Sequence, residues 1–193
     1  MYIIEENSHA LIIDPCRDIS LFNSDVTYDA ILLTHEHFDH ISGVNTWKEL
    51  THTKVICSKT CSESICDPRK NFSRYFKEFC AFQTFVDVNC QVQSEDYSCE
   101  ADIVFENDMI FEWQNHSVEI SISTSHSPGG ILVFLDRKYL FSGDTILDVF
   151  PPENRMKGIK KEVRKIENVI LSKWPTEEVI IYPGHLSSFI VKK

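Results

Sequence analysis

The sequence predicts an α/β protein in which two packed sheets carry helices on their outer faces. Short apolar or alternating segments bounded by turn residues occur in two groups along the chain. Helical patterns accompany each group, at residues 39–50 and at residues 158–172. Strands and amphipathic helices must each bury an apolar face, so this order favours two sheets packed on each other with helices outside.

The N-terminal group opens with a predicted hairpin around turn residues 6–8, and its second strand should end at Asp14-Pro15 because proline cannot donate to the ladder. A loop with a short helix through Leu21 and Phe22 should follow. A helix is expected at 39–50, and a second helical stretch should end at Asp67-Pro68. The predicted strands are Tyr2–Glu5, His9–Ile13, Tyr28–Leu33 and Lys54–Cys57.

The C-terminal group contains most of the alternating segments. Before it, four aromatic residues recur at helical spacing and predict core or pocket wall, and an aromatic, β-branched stretch follows at 82–92. The aromatic residues are Phe72, Tyr75, Phe76 and Phe79. The predicted strands are Ile103–Phe105, Met109–Trp113, Ser117–Ser123, Ile131–Leu135, Tyr139–Phe141 and Glu178–Tyr182. Residues 158–172 carry one apolar stripe and predict an outer helix.

Composition and charge exclude several functions. A net charge of -10 and a pI near 5.2 would repel a phosphate backbone, so no nucleic acid partner is expected. The sequence has no basic, apolar start and no run of membrane-spanning length, which predicts a cytoplasmic protein without a membrane partner. Seven cysteines without a Cys-x-x-Cys pair indicate reduced thiols. The length of 193 residues predicts a single domain, residues 1–193, whose oligomeric state is left open.

A cluster of polar residues directly follows the predicted strand Tyr28–Leu33. His35, His37 and Asp39 would share one face if the strand continued, and His40 would join them only if the chain turned. Imidazoles and carboxylates this close compete for protons unless a divalent cation holds them together. The cluster therefore predicts half of a metal site, and a polar strand end with exposed histidines is the alternative.

Three later residues share one setting, just past an apolar strand and beside Gly, Pro or Ser. They are His126 in Ser-His-Ser-Pro-Gly-Gly, Asp144 in Ser-Gly-Asp-Thr and His185 in Pro-Gly-His. Glycine permits the close backbone approach that loops converging on one ion need. Together with the first cluster, these residues predict the other half of the site.

In this order, the motifs HxHxDH, Ser-Pro-Gly after His126, Ser-Gly-Asp and Pro-Gly-His resemble those of the metallo-β-lactamase fold superfamily. Asp14-Pro15, Asp67-Pro68 with Asn71-Phe-Ser73, and Leu-Phe-Ser-Gly-Asp-Thr are similar to the hydroxyacylglutathione hydrolase (glyoxalase II) group. The resemblance covers nearly the whole chain. It implies an αββα sandwich of two mixed sheets with the metal site at the sheet edge.

The resemblance also implies a ligand set for two divalent ions, with zinc expected first and iron or manganese as alternatives. The first ion would lie on His35, His37 and His126. The second would lie on Asp39, His40 and His185, with Asp144 bridging. Asp39 would in addition act catalytically, by orienting a hydroxide shared between the ions. His9, His52 and His116 match no motif and are expected at the surface or in turns.

The sequence departs from the group at two places. Thr124-Ser125 stands where the group has Pro-Gly before the loop histidine, and residues 147–157 replace a Gly-Arg segment. The substrate of the group therefore does not carry over directly. Arg155 and Lys157 in the second segment are predicted to meet an anionic substrate tail, a solvated basic loop being the alternative. No separate C-terminal substrate-binding domain is expected.

These motifs predict a metal-dependent hydrolase that acts on a small-molecule substrate, a glyoxalase II-like thioesterase first. Thioesters suit such a site because a thiolate leaves with little protonation. A lactonase or ester hydrolase would use the same residues. A persulfide dioxygenase of this fold would instead hold one iron, by resemblance on His35, His126 and Asp144. A binding module that keeps the fold without catalysis is the last alternative.

Overall fold

The computed structural model describes residues 1–81, 93–145 and 178–192, and its first sheet is built from residues 2–105, so it includes one strand that the sequence analysis grouped with the C-terminal strands. Its strands are β1 (Tyr2–Glu6), β2 (His9–Ile13), β3 (Thr27–Leu32), β4 (Val55–Ser58) and β5 (Ile103–Phe105), in the order β1-β2-β3-β4-β5. The β1–β2 pair is the predicted antiparallel hairpin, whereas β2, β3, β4 and β5 run parallel. The sheet is thus mixed, as expected.

The second sheet comes from the C-terminal half. Its strands are β6 (Met109–Trp113), β7 (His116–Ile122), β8 (Ile131–Leu135), β9 (Tyr139–Gly143), β10 (Glu178–Pro183) and β11 (Phe189–Lys192), in the order β11-β10-β9-β8-β7-β6. Only the β9–β10 pair is parallel. The strand β11 was not predicted from the sequence, because its apolar stretch is only four residues long.

The described helices lie in the N-terminal half. They are α1 (Phe38–Ile41), α2 (Val44–Thr51), α3 (Lys59–Ile65), a 3-10 helix (Ser73–Tyr75) and α4 (Phe76–Ala81). The expected single helix at 39–50 is divided at Gly43, whose backbone N–H donates to the Pro15 carbonyl at 2.9 Å. The predicted outer helix at 158–172 and the stretch 82–92 lie outside the described residues. In the described parts of the chain, no helix is both long and apolar enough to cross a membrane.

The prediction of a short helix through Leu21 and Phe22 is wrong, because turns occupy this segment. Asp18 Oδ1 accepts from the Ser20 backbone N–H at 2.8 Å, and Asn23 Oδ1 accepts from the Asp25 backbone N–H at 3.0 Å. These local side-chain acceptors offer the backbone an alternative to helical hydrogen bonds.

The core has three layers because both faces of the central strands are buried. Leu11 and Ile13 of β2 pack between the sheets, with Val118 and Val133 of the second sheet. Ile12, the residue between them, faces the helices with a second cluster that includes Trp47 and Ile65. A third cluster lies on the far face of the second sheet and consists of Leu132, Phe134, Leu140, Val179 and Ile181. This alternation fixes the register and so aims the strand ends at one site.

Candidate metal centre

The carboxyl ends of three strands deliver the polar residues to one edge of the sandwich. The HxHxDH cluster follows β3, Asp144 follows β9 and His185 follows β10, while His126 lies in the loop between β7 and β8. All seven residues predicted as ligands come together there, although the sequence separates them by up to 150 positions. Arg155 and Lys157, predicted to contact the substrate, lie outside the described residues.

The first ligand group consists of His35, His37 and His126, one nitrogen of each lying within 4.8 Å of the others. His126 Nε2 lies 3.1 Å from His37 Nδ1. His35 Nε2 is buried and has no hydrogen-bond partner. Three imidazole nitrogens therefore converge on one point.

The second ligand group consists of Asp39, His40 and His185, again within 4.8 Å of one another. His185 Nε2 lies 3.0 Å from Asp39 Oδ2 and 3.4 Å from His40 Nε2. The group offers two nitrogens and one carboxylate oxygen, which is a donor set suited to a divalent cation.

Asp144 lies between the two groups. Its Oδ1 is 3.1 Å from His40 Nε2, whereas its Oδ2 is 3.5 Å from His185 Nε2 and 3.7 Å from His126 Nε2. One carboxylate thus faces both groups, as a ligand shared by two ions would.

The donor atoms fit metal ions better than they fit one another. Zinc–nitrogen bonds of about 2.0–2.1 Å in a tetrahedron place ligand nitrogens roughly 3.3 Å apart. The separations of 3.1 Å and 3.4 Å in the two groups agree with this spacing. His35 Nε2 and Asp144 Oδ1 are buried without a hydrogen bond, and such groups are costly unless a cation accepts their lone pairs.

Burial keeps the first ligand group neutral. Desolvation, with the neighbouring His126, lowers the pKa of His37 to about 4, and desolvation also lowers the pKa of His35 and of His126. At neutral pH these imidazoles therefore hold free lone pairs, which metal binding requires.

The carboxylates dominate the second ligand group. The hydrogen bonds that His185 donates to Asp144 and Asp39 raise the pKa of His185 to about 9. Burial opposes ionisation of Asp144, but contacts with His185 and His40 hold its pKa well below its usual range. Asp39 and Asp144 are therefore ionised at neutral pH, and a divalent cation that displaced the imidazole protons would pair with both carboxylates.

A family comparison agrees with this geometry. The model of the metallo-beta-lactamase superfamily matches residues 24–185, which include all seven residues. The chain belongs to the metallo-beta-lactamase superfamily.

Individual relatives of the chain share low sequence identity with it. The chain is 23% identical to a protein of Bacillus velezensis named probable polyketide biosynthesis zinc-dependent hydrolase BaeB, over 95% of this chain and 71% of that protein. The crystal structure of the B3 metallo-beta-lactamase BLEG-1 is similar with a TM-score of 0.69 at 20% identity, covering 97% of this chain and 87% of that one. ETHE1 from Myxococcus xanthus shares the fold with a TM-score of 0.56 at 17% identity, covering 96% and 70% of the two chains. Together with the ligand groups, the family match indicates a member of this superfamily that can bind metal ions.

Asp14 connects the two ligand groups of this superfamily member. Its Oδ2 accepts from His40 Nδ1 at 2.8 Å and from the Thr34 hydroxyl. Because that hydroxyl donates to Asp14, it accepts from His35 Nδ1 at 3.1 Å. Asp14 thereby directs Nε2 of both histidines towards the centre, and in the neutral tautomer that this contact favours, Nε2 is unprotonated. Sequence reasoning assigned Asp14 to the end of a strand and to a motif similar to the glyoxalase II group, but it gave this residue no role in the centre.

Glu36 fastens the loop that carries His126. Glu36 points away from the ligand groups, because its carboxylate accepts from Ser127 Oγ at 3.0 Å and from the Gly129 backbone N–H at 3.2 Å. Glu36 is only 3% exposed. A buried carboxylate therefore positions a ligand loop more than 90 residues away.

Gly184 permits the close approach of the last ligand strand. A Cβ at this position would lie 2.3 Å from Asp144 Oδ1 and 2.4 Å from His40 Cε1. The glycine in Pro-Gly-His is thus required by contact with the centre. His9 and His116, predicted to lie outside the site, pair with Asp29 and Asp136.

A cavity opens beside Asp39. It has a volume of about 480 Å³ and is lined by Arg17, Phe38, Ser42 and Phe76 as well as by Asp39. Such a volume lies within the range of small-molecule sites. The cavity therefore adjoins the second ligand group at Asp39.

Proposed function

We propose that this chain hydrolyses a small acyl thioester with two divalent metal ions. The observation that carries the proposal is the position of Asp144, which faces both ligand groups at 3.1–3.7 Å. Two ions in such a site lower the pKa of a bound water towards neutrality and polarise the scissile carbonyl.

Each side chain of the centre would have a separate role in the reaction. His35, His37 and His126 would hold one ion, and the second ligand group would hold the other. Asp39 lines the cavity and keeps one carboxylate oxygen 3.0 Å from His185 Nε2. Its other oxygen would accept a hydrogen bond from the attacking water or hydroxide and so orient it towards the carbonyl.

The absence of a spare acid in the described centre favours a thioester over an amide. Every imidazole there belongs to a ligand group, so none remains to protonate a leaving nitrogen. A thiolate needs no proton at neutral pH to leave. A lactone, the nearest rival substrate, would release an alkoxide that does need one.

Zinc is the metal favoured by the donor set and by the relative named as a zinc-dependent hydrolase. Iron and manganese accept the same ligands. Elemental analysis of purified protein should give about two zinc ions per chain by this assignment. One iron per chain would instead indicate a persulfide dioxygenase and would refute the proposal.

Parallel assays should then compare S-lactoylglutathione, a simple acyl thioester and an acyl lactone. Thioester hydrolysis should exceed lactone hydrolysis in kcat/KM. The reverse order would assign the centre to a lactonase, and no turnover of either by fully loaded protein would favour a binding module.

Arg155 and Lys157 remain predicted contacts for an anionic substrate tail. Charge reversal at either residue should raise KM without lowering kcat if the prediction holds. An unchanged KM would leave the loop as a solvated basic segment.

A further inference from the structure

Phe72 has a backbone conformation that a bulky residue rarely adopts. Its φ is 64° and its ψ is 6°, in the left-handed region, where Gly or Asn would lie without strain. Its side chain is nevertheless 38% exposed, so burial of the ring does not compensate the strain fully. Strained residues of this kind concentrate at functional sites.

The neighbours of Phe72 force this conformation. Asn71 and Ser73 are fully buried. Asn71 Nδ2 donates to the carbonyls of Ile65 and Tyr97, and Asn71 Oδ1 accepts from the Ser73 backbone N–H at 2.9 Å. The chain is thus anchored on both sides of Phe72, and its ring is held out in a fixed direction.

The ring of Phe72 lies against a ligand of the first group. Its centroid is 5.0 Å from that of His37, and it stacks on Phe79 at 6.0 Å and 10°. Phe79 in turn lies 6.4 Å from Phe76, which lines the cavity beside Asp39. These three rings, Phe72, Phe79 and Phe76, form an aromatic wall from the His37 side of the centre to the Asp39 side.

We propose that the aromatic wall binds the apolar acyl group of the substrate and makes Phe72 a specificity-determining residue. The proposal rests on the proposed thioesterase function and narrows its substrate class to thioesters of unbranched or aromatic acyl groups. A short hydroxylated acyl group would leave the wall exposed to water. An alkyl or phenyl chain attached to a carbonyl at the metals would instead cover it.

The test uses two homologous series that differ only in chain length. The first is a set of N-acetylcysteamine thioesters with acyl chains of two to eight carbons, assayed for kcat/KM with the zinc-loaded protein. The second is the matching set of alkyl hydroxamic acids, whose dissociation constants are measured by calorimetry without turnover. A fully buried methylene changes an equilibrium about fourfold, so a wall that covers one side should give about twofold per methylene in both series.

In the variant Phe72→Gly, neither kcat/KM nor the hydroxamate dissociation constant should depend on chain length, because glycine removes the ring and tolerates the backbone conformation. Tyr75→Ala is the matched control, since Tyr75 is a neighbouring aromatic residue that is 46% exposed and lies in the 3-10 helix. In this control, kcat/KM and the dissociation constants should depend on chain length as they do in the wild type. A structural readout is independent of the metal: the apo form of Phe72→Gly should unfold at a higher temperature than that of Phe72→Ala, which retains the strained φ.

The outcomes separate the two proposals. If hydroxamate affinity rose with chain length but no thioester was hydrolysed, the aromatic wall would be supported and the thioesterase function refuted. If the wild type hydrolysed thioesters with a kcat/KM that did not depend on chain length, the aromatic wall would be refuted and the thioesterase function would not. The same conclusion would follow if Phe72→Gly kept the dependence on chain length.

Discussion

Replacing Asp14 by Asn should weaken the binding of the second metal ion far more than the binding of the first. Asp14 and His40 form a buried pair, with side-chain exposures of 6% and 4% and a separation of 2.8 Å. Asn tolerates the left-handed backbone of Asp14, whose φ is 51°, so the substitution adds no strain. It removes the charge, however, and can turn a donor towards His40 Nδ1–H.

The magnitude follows from the position of Asp14 behind the ligands. Loss of a carboxylate that orients a ligand histidine costs about 10- to 100-fold in metal affinity, or roughly 1.4–2.7 kcal/mol. His40 bonds to Asp14 directly and should show this full effect. His35 reaches Asp14 only through the Thr34 hydroxyl, so the first ion should lose less.

Stepwise zinc titration against a chromophoric chelator would measure both dissociation constants. Asp29→Asn is the matched control, because Asp29 also pairs with a histidine, His9, at 2.9 Å, but outside the centre. The control should leave both constants unchanged. If Asp14→Asn also left them unchanged, or weakened the two ions equally, the argument that Asp14 fixes the tautomer of His40 would be wrong.

Three further substitutions test other parts of the centre. His126→Ala should lower the zinc content below two ions per chain by elemental analysis and abolish hydrolysis, because the first ligand group loses one of its three nitrogens; full activity would remove His126 from the ligand set. Gly184→Ala should lower kcat/KM by about 100-fold or more, since its Cβ would displace Asp144 and a shift of about 1 Å is enough for such a loss; activity near the wild-type value would contradict the contact geometry. Glu36→Gln should lower the free energy of unfolding in urea by about 1–3 kcal/mol, because a neutral amide accepts the two hydrogen bonds from the His126 loop more weakly than the carboxylate does; an unchanged midpoint would show that the loop does not depend on this charge.

Local patterns in the sequence predicted most of the secondary structure of the described chain. Strand signals predicted β2 because both of its faces are buried, which requires a continuous apolar stretch such as 10–13. The strand signals missed β11, whose four residues carry too weak a pattern. The helix predicted at Leu21 and Phe22 does not form, because polar side chains cap turns within a few residues.

The sequence by itself determined the types of the ligand residues and the motif order that resembles the superfamily. His35, His37, Asp39 and His40 could be grouped because they are adjacent in the chain, and the later residues because each follows a strand. Only the tertiary structure decided how Asp144 lies between two ligand groups, how Asp14 reaches His35 and His40, and how Glu36 holds the His126 loop. These contacts join residues that lie as far apart in the chain as His40 and Asp144, and sheet register rather than local sequence brings them together. The strained φ of Phe72 has the same origin, since buried hydrogen bonds of its neighbours impose a conformation that its own side chain disfavours.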